Sequence, residues 1–487
     1  MSIRRHTIYN LMGQLIPLAA SLVTVPIYLK RIGEARYGVL AIAWLLLGYF
    51  GLFDLGLGRA TAQCIASLHD AAPRQRAQAF WTALTLNVGL GVIGGLFIWP
   101  VAYYFFGHVF KVEDAMRPEI QAAVPWLILA VPMATLTGVL GGALQGRERF
   151  LEINLISIAG TVLFQVLPLV AAMLWGPNLN LLLPAALFSR LFTLLMLFLR
   201  CQRHVICGFS PSFDRVRSRQ LLGFGGWVTT TSFVSPMMVS LDRFIIGAIA
   251  GAKAVTFYTI PFQFSQRSTI LGVALSSALF PRLAAASPQE EIRLAQEGLH
   301  TLLVVMTPFV VLGLFVIKSF LAWWITPAFA ELSARVGQVL LLGFWANTLA
   351  IIPLEQLQAR NRPDLVAKCH LVEVLPYFGL LYFGLTHSGM IGAAFAFSIR
   401  AFADFALLAG LAGTLRAFIE KLWQPAGLFV SAFLIATHAG QGQPFSITLR
   451  AALLVLTLGW AVSNAPSGIK IMVRSKLNFL ARIPRRP

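Results

Sequence analysis

Apolar stretches alternate with short polar segments from one end of the chain to the other. Each stretch has about 20 residues, the length a helix needs to cross a hydrocarbon core of roughly 30 Å. The longest polar segments, 204–220 and 463–487, are too short to fold into a catalytic domain. The pattern predicts fourteen membrane helices, at about 8–29, 37–66, 79–106, 119–144, 153–175, 181–200, 220–248, 254–284, 295–317, 332–357, 365–385, 389–415, 425–439 and 446–462.

Composition supports a membrane protein. The chain is 57% hydrophobic and 12% charged, about half the charge of an average soluble protein. Its net charge of +19 is spread over alternate polar segments and forms no single patch, which argues against a nucleic-acid partner. The first apolar run is too long for a signal peptide and no cleavage site follows it, so it is predicted to be an uncleaved helix. The four cysteines lack metal-ligand spacing; they are Cys64, Cys201, Cys207 and Cys369.

The basic residues test the helix count. Of the 38 Lys and Arg residues, seven lie on the side of the membrane opposite the N-terminus, seven lie within or at the edges of the helices, and the remaining 24 lie on the N-terminal side. Positive loops are cytoplasmic in membrane proteins. Both termini are therefore predicted to be cytoplasmic, which requires an even number of helices.

The chain contains an internal repeat. Leu-Gln-Gly-Arg-Glu-Arg at 144–149 matches Leu-Gln-Ala-Arg-Asn-Arg at 357–362, an offset of 213, and Thr135-Leu136 matches Thr348-Leu349 at the same offset. A weaker echo links 32–35 with 250–253. Because each block holds six helices, both blocks enter the membrane from the same side, as parallel repeats do.

The predicted fold is an all-α polytopic membrane protein with two parallel six-helix lobes and a C-terminal helix pair. The predicted divisions are an N-lobe (1–205), a cytoplasmic linker (206–219), a C-lobe (220–420), helices 13 and 14 (421–462) and a basic cytoplasmic tail (463–487).

The opening of the chain resembles the multidrug/oligosaccharidyl-lipid/polysaccharide (MOP) flippase superfamily, in its polysaccharide-biosynthesis and O-antigen branch. The resemblance is carried by NLMGQ (10–14), PIYL (26–29), IGEARYG (32–38) and FDLGLGRAT (53–61). It implies two lobes around a central cavity that opens to either face in turn. It also implies that a sugar diphosphate travels in this cavity while its polyprenyl tail stays in lipid, and the last helix pair resembles one that forms a groove for such a tail.

Charged residues at membrane depth are costly and usually face a wet cavity or a partner. A diphosphate carries about two negative charges, which planar guanidinium groups bind well. The substrate-binding candidates are Arg267, Arg59, Asp54, Arg243, Asp242, Arg400, Asp404 and Arg190. Arg267 is the first choice, because the polar run around it is hard to explain against lipid.

Each candidate also has a structural interpretation. Asp54 and Arg59, five apart, would point about 140° from each other on a helix, and Arg59 could reach the cytoplasmic end of its helix. Arg400 and Asp404 share a helix face as a structural ion pair or a coupled binding pair. Glu373, one turn from His370, is a weaker candidate for proton transfer.

The predicted function is transport of a polyprenyl-diphosphate oligosaccharide from the cytoplasmic to the periplasmic leaflet of a bacterial inner membrane, for surface polysaccharide synthesis. The expected partners are that lipid-linked oligosaccharide, membrane lipids, and polymerase or assembly proteins. No catalytic or metal motif is present, so neither an enzyme nor a cofactor is expected. The alternatives are a cation-coupled multidrug exporter of the same superfamily and a membrane glycosyltransferase or polymerase, which would need a catalytic loop with acidic metal ligands.

Overall fold

The computed structural model describes residues 3–49, 54–68, 72–438 and 444–466, and side chains within 16–48, 54–68, 72–222, 240–437 and 447–466. These residues form helices and no strand. The helices are α1 (Ile3–Tyr49), α2 (Leu57–Ser67), α3 (Pro73–Tyr104), α4 (Arg117–Gly146), α5 (Phe150–Trp175), α6 (Leu179–Cys201), α7 (Arg215–Ile249), α8 (Ala252–Gln266), α9 (Ile270–Ala285), α10 (Pro288–Trp324), α11 (Pro327–Ala359), α12 (Pro363–Ala412), α13 (Leu415–His438) and α14 (Pro444–Asn464).

The all-α membrane fold predicted from the sequence is confirmed. Within the described residues, eleven helical segments are long and apolar enough to cross a membrane. Large apolar side chains are exposed along many of them, as expected where a helix meets lipid rather than water. The chain is a multi-pass membrane protein.

In two places, a pair of predicted helices forms one continuous helical segment with a kink between them. The first two predicted helices meet at Gly33 (φ 77°) inside α1, and the eleventh and twelfth meet at Gly389 (φ 60°) inside α12. A positive φ is easy for glycine and strained for other residues. The chain therefore changes direction at these glycines without a loop.

Two predicted helices are interrupted, and their continuous spans were wrong. The helix expected at 37–66 ends with α1 and resumes at α2, because Leu55 (φ 48°) and Gly56 (φ 72°) adopt left-handed conformations just before Leu57. The helix expected at 254–284 is divided into α8 and α9 by a short 3₁₀ turn at Arg267–Thr269.

Two compact units divide the chain, Met1–Thr256 and Phe257–Pro487. In the first unit α4 packs against α2, α3 and α6, and α5 packs against α6. In the second unit α11 packs against α10 and α12, and α13 and α14 pack on α10. The lobe boundaries given above stay a prediction.

Small residues allow close helix contact in the first unit. A Cβ added at Gly91 would lie 2.7 Å from Pro132 Cα, and one at Gly138 would lie 2.5 Å from the Asp54 carboxylate. Gly142 likewise approaches the Gly58 carbonyl. Such approaches are possible only without a side chain, so these glycines are packing residues.

The repeat seen in the sequence has a structural counterpart in each unit. Glu148 and Asn361, 213 residues apart, adopt φ 57° and 59°. The Arg149 amide donates to the Leu144 carbonyl (3.0 Å), and the Arg362 amide donates to the Leu357 carbonyl (2.9 Å). Each motif therefore closes a helix with the same left-handed turn.

A second conformational match falls at the same offset. Gly176 (φ 98°), after α5, and Gly389, 213 residues later, both have positive φ. The turns after the fourth and fifth helices of each block are thus repeated in backbone conformation as well as in position.

Arg360 joins three helices at one end of the second unit. Its Nε donates to Glu291 Oε1 at 2.9 Å, and its Nη2 donates to the Ala412 carbonyl at 3.0 Å. Gln356 Nε2 donates to the same carbonyl at 3.2 Å. These bonds tie the ends of α11 and α12 to the start of α10.

Candidate functional site

Asp54 lies just before the left-handed turn at Leu55–Gly56 and not on α2 with Arg59, which corrects the sequence interpretation. Its carboxylate accepts the amide hydrogens of Gly56 (2.7 Å) and Gly58 (3.2 Å). Amides at a helix start otherwise lack acceptors, so Asp54 stabilises this start. The 140° argument for Asp54 and Arg59 therefore does not apply.

Arg59 is exposed one turn into α2. Asp54 is close enough to interact with it electrostatically, yet none of the ion pairs among the described residues includes Arg59. Its guanidinium is thus available to an anion, with one carboxylate nearby that partly offsets its charge.

Arg190, on α6, lies against an aromatic side chain. Its guanidinium carbon is 4.8 Å from the centre of the Phe164 ring on α5, and Phe164 in turn contacts Trp44 with ring centres 5.9 Å apart. A cation over a ring face is favourable when desolvated. This contact gives Arg190 a structural role within the first unit.

Asp242 and Arg243, adjacent on α7, are both buried. Arg243 Nη1 lies 3.5 Å from Asp242 Oδ1, and the Arg243 amide donates to the same oxygen at 2.7 Å. The structure therefore brings these two predicted residues together as an ion pair. Burial makes the desolvation of both charges costly, and their mutual attraction offsets part of that cost.

Arg267 occupies the 3₁₀ turn between α8 and α9, rather than the middle of a helix as predicted. Its side chain is exposed, as are those of Gln263, about one turn earlier, and of the preceding residue Gln266. No ion pair of the described residues includes Arg267. A cation without a carboxylate, flanked by amide side chains at a break in a membrane segment, can bind an anionic ligand.

The two halves of α12 enclose a buried charged cluster of His370, Glu373, Arg400 and Asp404. Arg400 Nε donates to Glu373 Oε2 at 3.3 Å, and Arg400 Nη2 lies 3.9 Å from Asp404 Oδ2. His370 Nε2 lies 3.5 Å from Asp404 Oδ1. All four residues are buried, each less than a tenth exposed.

With Glu373 and Asp404 ionised and His370 neutral, the net charge of this cluster is one negative charge. Glu373 Oε1 has no hydrogen-bond partner among the described residues. The i,i+4 pairing of Arg400 with Asp404 is present as expected, but the shorter contact of Arg400 is with Glu373.

Sequence reasoning gave Glu373 too little weight. His370, Glu373 and Tyr377 recur at three- and four-residue spacing, which places them on one helix face. Arg400 and Asp404 share a face of the following segment, and the Arg400 guanidinium carbon is 5.8 Å from the Tyr377 ring centre. That common spacing was the available signal. No group of three metal-ligating side chains occurs among the described residues.

Comparisons with known proteins place the chain in a family. A family model described as "Polysaccharide biosynthesis protein" matches residues 3–287. A protein of Shigella flexneri, provisionally described as an O-antigen transporter, is 29% identical over 410 residues, covering 84% of this chain and 97% of that protein.

Solved structures share the fold at low identity. The lipid II flippase MurJ, in an inward closed conformation, has a TM-score of 0.71 at 13% identity and covers 97% of this chain and 99% of its own. An inward-facing multidrug resistance MATE family transporter of the MOP superfamily has a TM-score of 0.69 at 15% identity, covering 85% and 99%. The fold is thus that of MOP superfamily transporters, and the chain belongs to the polysaccharide biosynthesis protein family.

Proposed function

We propose that this protein moves a polyprenyl-diphosphate-linked oligosaccharide from the cytoplasmic to the periplasmic leaflet of a bacterial inner membrane, by alternating access. The observation that carries the proposal is the match along 97% of the provisionally described O-antigen transporter, within a family named for polysaccharide biosynthesis. The glycan so delivered would pass to polymerase or assembly proteins.

The chemistry of the exposed arginines supports this substrate. A charged side chain at the centre of a membrane helix costs about 2.5–3.5 kcal/mol or more, and that cost needs a compensating partner. Arg267 and Arg59 are exposed beside interruptions of membrane helices, outside the ion pairs of the described residues. A diphosphate supplies the missing negative charge.

The direction of transport depends on the orientation of the chain. The division of basic residues, 24 against seven, supports cytoplasmic termini. A phosphatase fused after Pro487 should be inactive and a cytoplasmic fluorescent reporter active there. A periplasmic signal at that position would contradict the orientation and the even helix count.

Deletion of the gene tests the function. We expect loss of surface polysaccharide, accumulation of the lipid-linked oligosaccharide on the cytoplasmic side, and restoration of both by the intact chain. Failure to make the lipid-linked intermediate at all would point to a glycosyltransferase. Normal polysaccharide combined with sensitivity to cationic drugs would point to a multidrug exporter.

A further inference from the structure

A small cavity with a mixed polar and apolar lining lies between α10 and α13 in the second unit. Two helix faces form it, with residues three or four apart on each: Gln296, Leu299, His300 and Leu303 from α10, and Thr414, Ala417, Phe418 and Lys421 from α13 and its approach. The cavity encloses about 290 Å³ including its open mouth. It lies at the helix ends that the basic residues assign to the cytoplasmic side.

The lining carries positive charge and no carboxylate. Lys421 and His300 line the cavity, whereas neither Asp nor Glu does. The acidic residues adjacent to the lining in sequence already have partners: Glu297 lies 3.1 Å from Arg293, and Glu420 lies 3.8 Å from Arg416. The Lys421 ammonium is therefore not neutralised by these carboxylates.

One ring nitrogen of His300 is hydrogen-bonded, and the other has no partner among the described residues. Its Nε2 lies 2.9 Å from the Asn464 carbonyl at the end of α14. A carbonyl only accepts hydrogen bonds, so Nε2 carries the hydrogen. Nδ1 is buried and has no hydrogen-bond partner among the described residues; when the ring is protonated beside an anion, Nδ1 becomes a second donor.

The start of α13 adds backbone donors to the same cavity. Thr414, which is fully buried, precedes the first helical residue, and its hydroxyl donates to the Ala409 carbonyl at 3.4 Å. The Phe418 amide is bonded to the Thr414 carbonyl. The amides of the turn between them lie at the positive end of the helix, where anions bind favourably.

Beyond Lys421, α13 presents an apolar surface. Trp423, Val430 and Leu434 are large and exposed. A cavity that contains a lysine and no carboxylate, next to exposed apolar side chains, fits a molecule with an anionic head and hydrocarbon chains. Basic pockets between membrane helices on the cytoplasmic side bind anionic headgroups.

We propose that this cavity binds the phosphate of an anionic phospholipid, whose acyl chains lie along α13. Lys421, His300 and the first amides of α13 hold the phosphate, and Gln296 donates from α10. Because His300 also holds Asn464, the bound lipid fixes the end of α14 against α10. The site is separate from Arg267 and does not depend on the transport function proposed above.

Native mass spectrometry of the purified full-length protein tests the proposal, with phosphatidylglycerol titrated into detergent. Removing one charged hydrogen bond costs roughly 1.5–3 kcal/mol, so Lys421→Gln should weaken binding by about tenfold or more. His300→Gln should weaken it as well. Lys318→Gln is the matched control, because that lysine lies near the other end of α10 and pairs with Glu331 at 2.6 Å; its affinity should be unchanged.

Competing ligands identify the source of the phosphate. Inorganic phosphate and zwitterionic phosphatidylethanolamine at equal concentration should not displace phosphatidylglycerol. Efficient displacement by inorganic phosphate would overturn the role of the acyl chains. Preferential displacement by a polyprenyl diphosphate would overturn the resident-lipid assignment in favour of the transport substrate. If Lys421→Gln binds phosphatidylglycerol as tightly as the native protein, and melting temperatures show that both proteins are folded, the proposal is wrong.

Discussion

Each unit contains a membrane helix that is interrupted and carries an exposed arginine beside the break, but the two breaks differ in construction. Before α2 the chain passes through left-handed residues Leu55 and Gly56, and Asp54 caps the new helix. Between α8 and α9 the backbone stays helical, with Gln266 at φ −59° and ψ −30°, and only tightens at Arg267.

The difference bears on which arginine suits an anion. Arg59 lies near the Asp54 carboxylate, which offsets part of its charge. Arg267 has no carboxylate in the described ion pairs, and two exposed glutamines precede it. Asp54 stabilises the break before α2. The break at Arg267 has no such carboxylate among the described residues, so its guanidinium stays available to an anion.

The largest expected effect compares these two arginines. Arg267→Ala should reduce surface polysaccharide by about tenfold or more at matched protein level, since charged hydrogen bonds contribute about 1.5–3 kcal/mol. Arg267→Lys should retain part of the activity, because it keeps the charge and loses the planar fork. Arg59→Ala should reduce display less.

The control is Arg335→Ala, which removes an exposed arginine from α11 and should leave display unchanged. Normal display by Arg267→Ala would remove Arg267 from the site. Arg59, Arg243 and Arg400 would then be tested next.

The second comparison is between Arg400 and Arg190, one from each unit. Arg400→Met leaves Glu373 and Asp404 buried without their cation, which should cost about 3–5 kcal/mol. Arg190→Met loses only the contact with Phe164, about 0.5–2 kcal/mol. Melting temperatures in detergent should therefore fall much further for Arg400→Met.

A compensating change sharpens that test. Arg400→Met combined with Glu373→Gln removes one carboxylate with the cation and should recover much of the lost stability. Equal losses for the Arg400 and Arg190 variants would show that the α12 cluster is not electrostatically coupled.

Substitutions of glycines on α4 should change stability less, and they test how closely α4 packs against the turn at Asp54. Gly138→Ala would place its Cβ 2.5 Å from Asp54 Oδ2, and such overpacking costs about 1–3 kcal/mol. Gly141→Ala meets nothing within 4 Å and should be neutral or stabilising by up to about 1 kcal/mol. If both variants melt alike, the α2–α4 contact is looser than described.

The smallest effect exchanges residues between the repeated turns. Glu148 and Asn361 share a left-handed conformation that asparagine adopts more easily than glutamate. Glu148→Asn should raise stability, and Asn361→Glu should lower it, each by about 1 kcal/mol. Thermal unfolding of the two single variants measures both signs, and shifts in the same direction would refute the argument.

The sequence was sufficient for the all-α membrane fold and the repeat, because apolar length and a shared motif record both. It did not reveal the interruptions at Leu55–Gly56 and Arg267–Thr269, since hydrophobicity carries no information about φ. The Glu373–Arg400 contact was also missed. Those residues are 27 apart, and their pairing depends on how the two halves of α12 meet at Gly389.

The bonds of Arg360 have a consequence for biosynthesis. Glu291 is made before Arg360, but the Ala412 carbonyl, which accepts from both Arg360 and Gln356, follows Arg360 by 52 residues. At about 5–20 residues per second, the ribosome needs roughly 3–10 s to supply it. During that interval the end of α11 is held by the Glu291 bond and by the hydrogen bond from Ser276 to Glu355, without the acceptor on α12. Chains that stop before residue 412 would therefore leave the buried Gln356 amide and the half-buried Arg360 guanidinium without this shared acceptor.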